Sequence, residues 1–223
     1  MNRLAIFDCD GTLVDSGATI HATLAKALEQ HGHAVPPPRE ARRVIGLSLT
    51  EAMAALVPQA GAAEHAALAE SYRLSFHGLR AAGRVEEPLF DGIVELLDAM
   101  DADGWLLAVA TGKSDRGLAH CLHCHGLAKR FVSLQTADRH PSKPHPAMAL
   151  AAMREAGAAP ASTVMIGDTG WDMGLARAAG VGAIGVGWGY HDAEELEGAG
   201  AHAVARAPAE VPALARSWVA RAA

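Results

Sequence analysis

Cysteine is scarce: three residues among 223, an odd and scattered set. That excludes the disulfide framework of a small secreted domain, so free thiols are expected. The chain also lacks a basic stripe. Its formal net charge of −6 and sequence pI near 6.0 argue against an extended phosphate-backbone partner, so no nucleic acid is expected. No apolar run approaches membrane-spanning length, so no membrane partner is expected either. Met1-Asn2-Arg3 passes straight into the first apolar stretch, which leaves no room for a signal peptide and predicts a cytoplasmic protein. What is present is an ordinary globular balance of 50% hydrophobic and 20% charged residues, with glycine and proline punctuating at short intervals. This composition excludes disorder and allows one or two domains with a sizeable core.

The most informative segment is Asp8-Cys9-Asp10-Gly11-Thr12, which follows the apolar run Leu4-Ala5-Ile6-Phe7. If that run is a buried strand, both carboxylates fall at its carboxyl end, where open α/β sheets bind ligands. Residues i and i+2 of an extended segment point the same way. Two carboxylates on one side repel unless a cation, a substrate or a shared proton offsets the charge. Taken alone, the segment is also compatible with an acidic turn.

From Phe90 onward helix and strand patterns alternate at α/β intervals. Helices are predicted near 92–101, 114–125, 146–156, 171–179 and 209–221, and strands near 106–110, 131–134, 163–166 and 183–186. Between Asp15 and Glu87 the pattern changes to helical stretches alone. Ile20, Leu24, Ala27, Leu28 and His31 form one apolar stripe ending at Gly32, and Ser48-Leu49-Thr50-Glu51 fits a capping box. Pro36-Pro37-Pro38 and Glu86-Glu87-Pro88 read as breaks. The economical fold is a Rossmann-like α/β core with an open parallel sheet and an inserted α-helical domain. Residues 1–15 and 88–223 form the core and 16–87 the insert, with crossovers near Asp15-Ser16-Gly17 and Val85–Pro88.

Three later segments put chemistry at predicted strand ends. Thr111-Gly112-Lys113 offers a hydroxyl, an unobstructed backbone N–H and a following helix N-terminus, which together suit a phosphate. Lys143-Pro144-His145-Pro146 presents a lysine just ahead of a helix. Gly167-Asp168 through Asp172 supplies two carboxylates four residues apart, able to converge at a helix start. Carboxylate oxygens with room for water suit Mg²⁺.

In this order the segments resemble the four motifs of the haloacid dehalogenase superfamily, in its phosphatase branch with a helical cap after the first strand. The resemblance implies Asp8 as nucleophile, Asp10 as general acid/base, and Thr111 and Lys143 as holders of the phosphoryl group. It implies Mg²⁺ bound by the Asp8 carboxylate, the Asp10 backbone carbonyl and Asp168, with Asp172 in or beside the metal shell. Gly112 and Lys113 would contact substrate. Arg42-Arg43-Val44-Ile45-Gly46-Leu47 looks like the substrate-facing segment of phosphoglycolate phosphatase-like enzymes, which nominates Arg43 as a substrate ligand. The implied partner is a small phosphorylated metabolite; no oligomeric state is assigned.

A dehalogenase needs no leaving-group acid at Asp10. A phosphonate-cleaving relative needs a cap lysine, and Lys26 is the only lysine before Pro88. A sugar-phosphate mutase shares all four motifs and stays open. A non-catalytic metal- or phosphate-binding module has no need of both Asp8 and Asp10, and a structural oligomer subunit is the further alternative. Two apparent motifs are expected to be structural. His120 to His125 carries a C-x-x-C pair but no second pair, and Leu118, Cys121, Leu122 and His125 recur at helical spacing. Gly180 to Gly185 matches G-x-G-x-x-G but lies between a predicted helix and a strand, the reverse of the dinucleotide context.

Overall fold

A computed structural model describes residues 2–222. The first strand, β1 (Asn2–Phe7), is buried on both sides: Ala5 and Phe7 enter one hydrophobic cluster and Leu4 and Ile6 another. That division is the period-two alternation of a strand covered on both faces, and it explains why the run is apolar without alternation in its sequence.

The other strands are β2 (Trp105–Thr111), β3 (Phe131–Thr136), β4 (Ala158–Gly167), β5 (Gly182–Val186) and β6 (Ala203–Ala205). They form one sheet in the order β3-β2-β1-β4-β5-β6. Every pairing is parallel, and Phe7 stands level with Val109 on one side and Ile166 on the other. The carboxyl ends of β1, β2 and β4 therefore share one edge, with the reversal of strand order between β1 and β4 at its middle.

Helices α1 (Gly17–Gln30), α2 (Pro38–Arg42), α3 (Leu49–Leu56) and α4 (Ala62–Ala81) lie between β1 and α5 (Ile93–Ala102) in the chain. They bury a third cluster of their own, built on Leu24, Leu28, Met53 and Leu68. The chain leaves and re-enters the sheet region at one place. Asp15 N–H donates to the Pro88 carbonyl at 2.8 Å, Phe90 N–H donates to that of Leu13 at 3.1 Å, and Val14 bridges Leu89. The remaining helices, α6 (Asp115–Cys124), α7 (Ala147–Ala156), α8 (Gly170–Ala179), α9 (Ala193–Gly198) and α10 (Val211–Ala222), complete the α/β pattern.

Three details correct the sequence reading. The pair α9 and β6 was not predicted, because a six-residue helix and an Ala-Val-Ala strand carry too little periodicity or β-propensity to register. Strand β4 starts at Ala158, five residues early, through a stretch containing Pro160 that sequence patterns demote. Ser48 starts α3 but makes no side-chain cap bond. Its backbone N–H, which the Glu51 carboxylate would need in a capping box, donates instead to Ser142 Oγ at 2.8 Å. The segments from His120 to His125 and from Gly180 to Gly185 lie in the local structure expected of them. Leu118, Cys121 and Leu122 are buried on α6 and Cys124 is exposed, while Gly180 ends α8 in the left-handed region ahead of β5. Among the described residues no helix is long and apolar enough to cross a membrane.

Candidate active site

Parallel strands bring Asp8, Thr111 and Asp168 to the same sheet edge, and the loop before α7 carries Lys143 into it. Asp8, Lys143, Asp168 and Asp172 are all essentially inaccessible to solvent. Lys143 Nζ lies 3.0 Å from Asp8 Oδ1 and 2.6 Å from Asp172 Oδ1. Cys9 N–H donates to the same Asp8 Oδ1 at 2.6 Å. Asp8 Oδ2 is buried and meets no hydrogen-bond partner among the described residues. One carboxylate oxygen is thus fixed by two donors and the other is left open toward the site.

The charges do not balance. Asp8, Asp168 and Asp172 each offer an oxygen within 4.8 Å of the others, and Lys143 is the cation paired into this cluster. Burial pushes Asp8 up from the ordinary 3.8 to about 7, against the pull of Lys143 and with the charges of Asp172 and Asp10 adding to it. Asp168 is held well above the usual carboxylate range, first by burial and then by Asp172 and Asp8. Burial alone would lower Lys143, but Asp172 and Asp8 outweigh it and keep it charged. A buried set of three carboxylates with one ammonium and one orphaned carboxylate oxygen suits a hard cation with oxygen preference.

Several groups hold these carboxylates in place. Asp168 accepts from Thr12 Oγ1 at 3.0 Å and from Tyr190 N–H at 2.9 Å. Asp172 spends Oδ2 on the N-terminus of α8, accepting from Thr169 N–H at 3.1 Å and Thr169 Oγ1 at 2.7 Å, in a capping box that the sequence reading passed over. Gly11 fits where no other residue could. Its φ is +81°, and a Cβ would stand 2.1 Å from Asp168 Oδ2.

Asp10 sits in a second network. Its Oδ1 accepts from Ser16 Oγ at the first crossover and pairs with Lys113 Nζ at 2.8 Å. Lys113 also pairs with Glu87 Oε1 at 2.5 Å, at the second crossover. Both ion pairs are nearly dry, and although burial pulls the Lys113 ammonium down, Asp10 first among the opposing charges holds it well above its ordinary value. Thr111 is buried, and its Oγ1 accepts from Lys113 N–H at 3.2 Å. Ser16, Glu87, Thr12 and Tyr190 were missed as site residues. Ser16 and Glu87 carried only the signal of chain breaks, and Thr12 and Tyr190 become partners of Asp168 only after folding.

The segment 43–48 closes over this edge. Trp171 Nε1 donates to the Arg43 carbonyl at 3.0 Å. A Cβ on Gly112 would lie 2.4 Å from the Leu47 carbonyl oxygen, so the two backbones approach as only glycine permits. The Arg43 side chain lies apart from these groups: its guanidinium pairs with Glu195 at the start of α9, half exposed, and it is not among the residues lining the adjoining cavity. The unpredicted α9 supplied the carboxylate that captures it.

Comparison with known proteins places this geometry in context. The haloacid dehalogenase-like hydrolase family matches residues 5–186. The chain is 36% identical to the probable phosphatase IndB of Dickeya dadantii, over 89% of this chain and 87% of that one. It is 31% identical to a phosphoglycolate phosphatase of Xylella fastidiosa, over 86% and 83% respectively. The crystal structure of a hydrolase from Pseudomonas syringae superposes with a TM-score of 0.83 at 27% identity, covering 95% of this chain and 97% of that one.

Proposed function

The chain belongs to the haloacid dehalogenase-like hydrolase family, and from that premise we propose that it is a Mg²⁺-dependent phosphatase acting on a small phosphorylated metabolite through an aspartyl-phosphate. The observation that carries this reading is the asymmetry of Asp8: one oxygen tied to Lys143 and the Cys9 N–H, the other buried and open. A carboxylate and a phosphate repel, so attack needs positive charge already in place, and Lys143 supplies one such charge. The Asp8 carboxylate and Asp168, with the Asp10 backbone carbonyl, would hold Mg²⁺, which when bound neutralises further charge between carboxylate and phosphate. Asp172 has both oxygens engaged by Lys143 and Thr169, so its proposed part is to orient Lys143 beside the metal shell.

In the first step an Asp8 oxygen bonds to phosphorus while the bond from phosphorus to the alcohol oxygen breaks, and Asp10 gives that oxygen its proton. Water then attacks the same phosphorus, Asp10 takes the water's proton, and Asp8 departs as a carboxylate with inorganic phosphate released. Thr111 and the Gly112 N–H would hold the phosphoryl oxygens in both steps. We divide the chain into a core of residues 1–15 and 88–223 and a cap of residues 16–87, a division supported by the paired crossovers and the separate helical cluster. The cap would exclude water during turnover.

Release of inorganic phosphate from 4-nitrophenyl phosphate tests the reading. Turnover is expected to require added Mg²⁺ and to fall by ~10³-fold or more in Asp8→Asn. Full activity in EDTA or in that variant contradicts the proposal, and isomerisation of a sugar phosphate without phosphate release would assign the mutase chemistry instead.

A further inference from the structure

Beside Asp10 a cavity of about 340 Å³ opens between the helical segment and the sheet edge. Its floor is Asp10, Gly112 and Lys113, so it begins where the oxygen of a departing alcohol would be protonated. Ile20, Leu24, Leu49, Tyr72 and Phe76 form its walls. Leu74 also borders it and is 64% exposed, the largest such value among the exposed large hydrophobic side chains. The charged groups lining the cavity are Asp10, Lys113, Arg73, Arg80 and Arg116. Asp10 and Lys113 are committed to each other and to Glu87. The Arg80 guanidinium lies 5.1 Å over the Phe76 ring and keeps its charge, with its Nε buried and without a hydrogen-bond partner among the described residues. Arg43 is paired with Glu195 and does not line the cavity.

We infer that the alcohol half of the substrate is a bulky apolar ring system rather than a two-carbon hydroxy acid, an inference that rests on the phosphatase reading above. A two-carbon acid would fill a small part of this space and leave the partly buried Ile20, Leu49 and Phe76 facing water. An apolar cavity of about 150 Å³ is enough to hold a benzene ring, so this one accommodates a two-ring alcohol. Filling it removes apolar wall from water at the same time as it brings the phosphoester oxygen to Asp10.

The test compares kcat/KM for phosphoglycolate, benzyl phosphate and 1-naphthylmethyl phosphate with the Mg²⁺-loaded full chain. All three are esters of primary alcohols, so leaving-group chemistry does not by itself favour the rings. The expected order rises along that series, with naphthylmethyl phosphate preferred over phosphoglycolate by roughly tenfold or more, the size expected for added apolar contact in a complementary pocket. Phe76→Ala should shrink that ratio, and Leu74→Ala, altering an exposed side chain that folding does not depend on, should shrink it less. Phosphoglycolate turned over as well as or better than the ring esters would overturn the inference while leaving the phosphatase intact. An unchanged ratio in both variants would overturn it as well. No release of phosphate from any of the three, nor from 4-nitrophenyl phosphate, would instead remove the phosphatase reading on which it stands.

Discussion

Asp8 is ionised at a cost. Burial raises its pKa from 3.8 to about 7 even with Lys143 at 3.0 Å, so between those values the folded protein binds more protons at this group than the unfolded chain does. The sign follows: stability that this group contributes is complete below its unfolded value and is lost as pH rises toward 7. In metal-free protein the melting temperature should therefore fall across that window, and Asp8→Asn should flatten the fall and melt above wild type at pH 8. Saturating Mg²⁺ should raise wild type by about 5 °C, through preferential binding to the folded state, and the variant by much less. Calorimetry with and without EDTA reads both effects, and a variant that melts below wild type in EDTA at pH 8 would sink the charge argument.

The secondary elements place these residues through their ends. Asp172 links two jobs, since the carboxylate that caps α8 also holds Lys143. Thr169→Ala should cost roughly 1 kcal/mol of stability, the usual value of a lost N-cap, whereas Ser48→Ala at the start of α3 should cost a few tenths at most, because no cap bond exists there to lose. Chemical denaturation of both variants checks the contrast; equal losses would contradict it. The same elements show what was legible in the sequence. β1, β2, β5, α5 and α6 to α8 follow from apolar runs and periodicity, and Asp8, Asp10, Thr111 and Asp168 stood out because each sits at or just past a readable strand end, Lys143 because it stands just ahead of a readable helix start. Glu87 and Tyr190 did not. Their roles come from pairing with residues 26 and 22 positions away in sequence, and no local pattern encodes such a meeting. The pairing of Arg43 was hidden for the same reason, since its partner Glu195 stands on a helix too short to register.

At the scale of the whole molecule, the helical segment bears on the sheet edge at a backbone contact. The Leu47 carbonyl oxygen occupies the space a Gly112 side chain would need, and the crossover residues Ser16 and Glu87 reach Asp10 directly and through Lys113. The helical segment and Asp10, the proposed proton donor, are thus joined by direct contacts. Gly112→Ala should hold the segment off the edge and lower kcat/KM by about 10²-fold, with faster proteolytic cleavage near the crossovers; an active, protease-resistant variant would show that the contact is dispensable. The central claim is that Asp8 carries the phosphoryl group between the two steps. The direct measurement is to quench turnover in acid, reduce with borohydride and map the modified residue by peptide mass spectrometry, using Asp10→Asn to slow the second step. The account predicts homoserine at position 8; modification at another residue, or none while Asp8→Asn turns over at the wild-type rate, would contradict it.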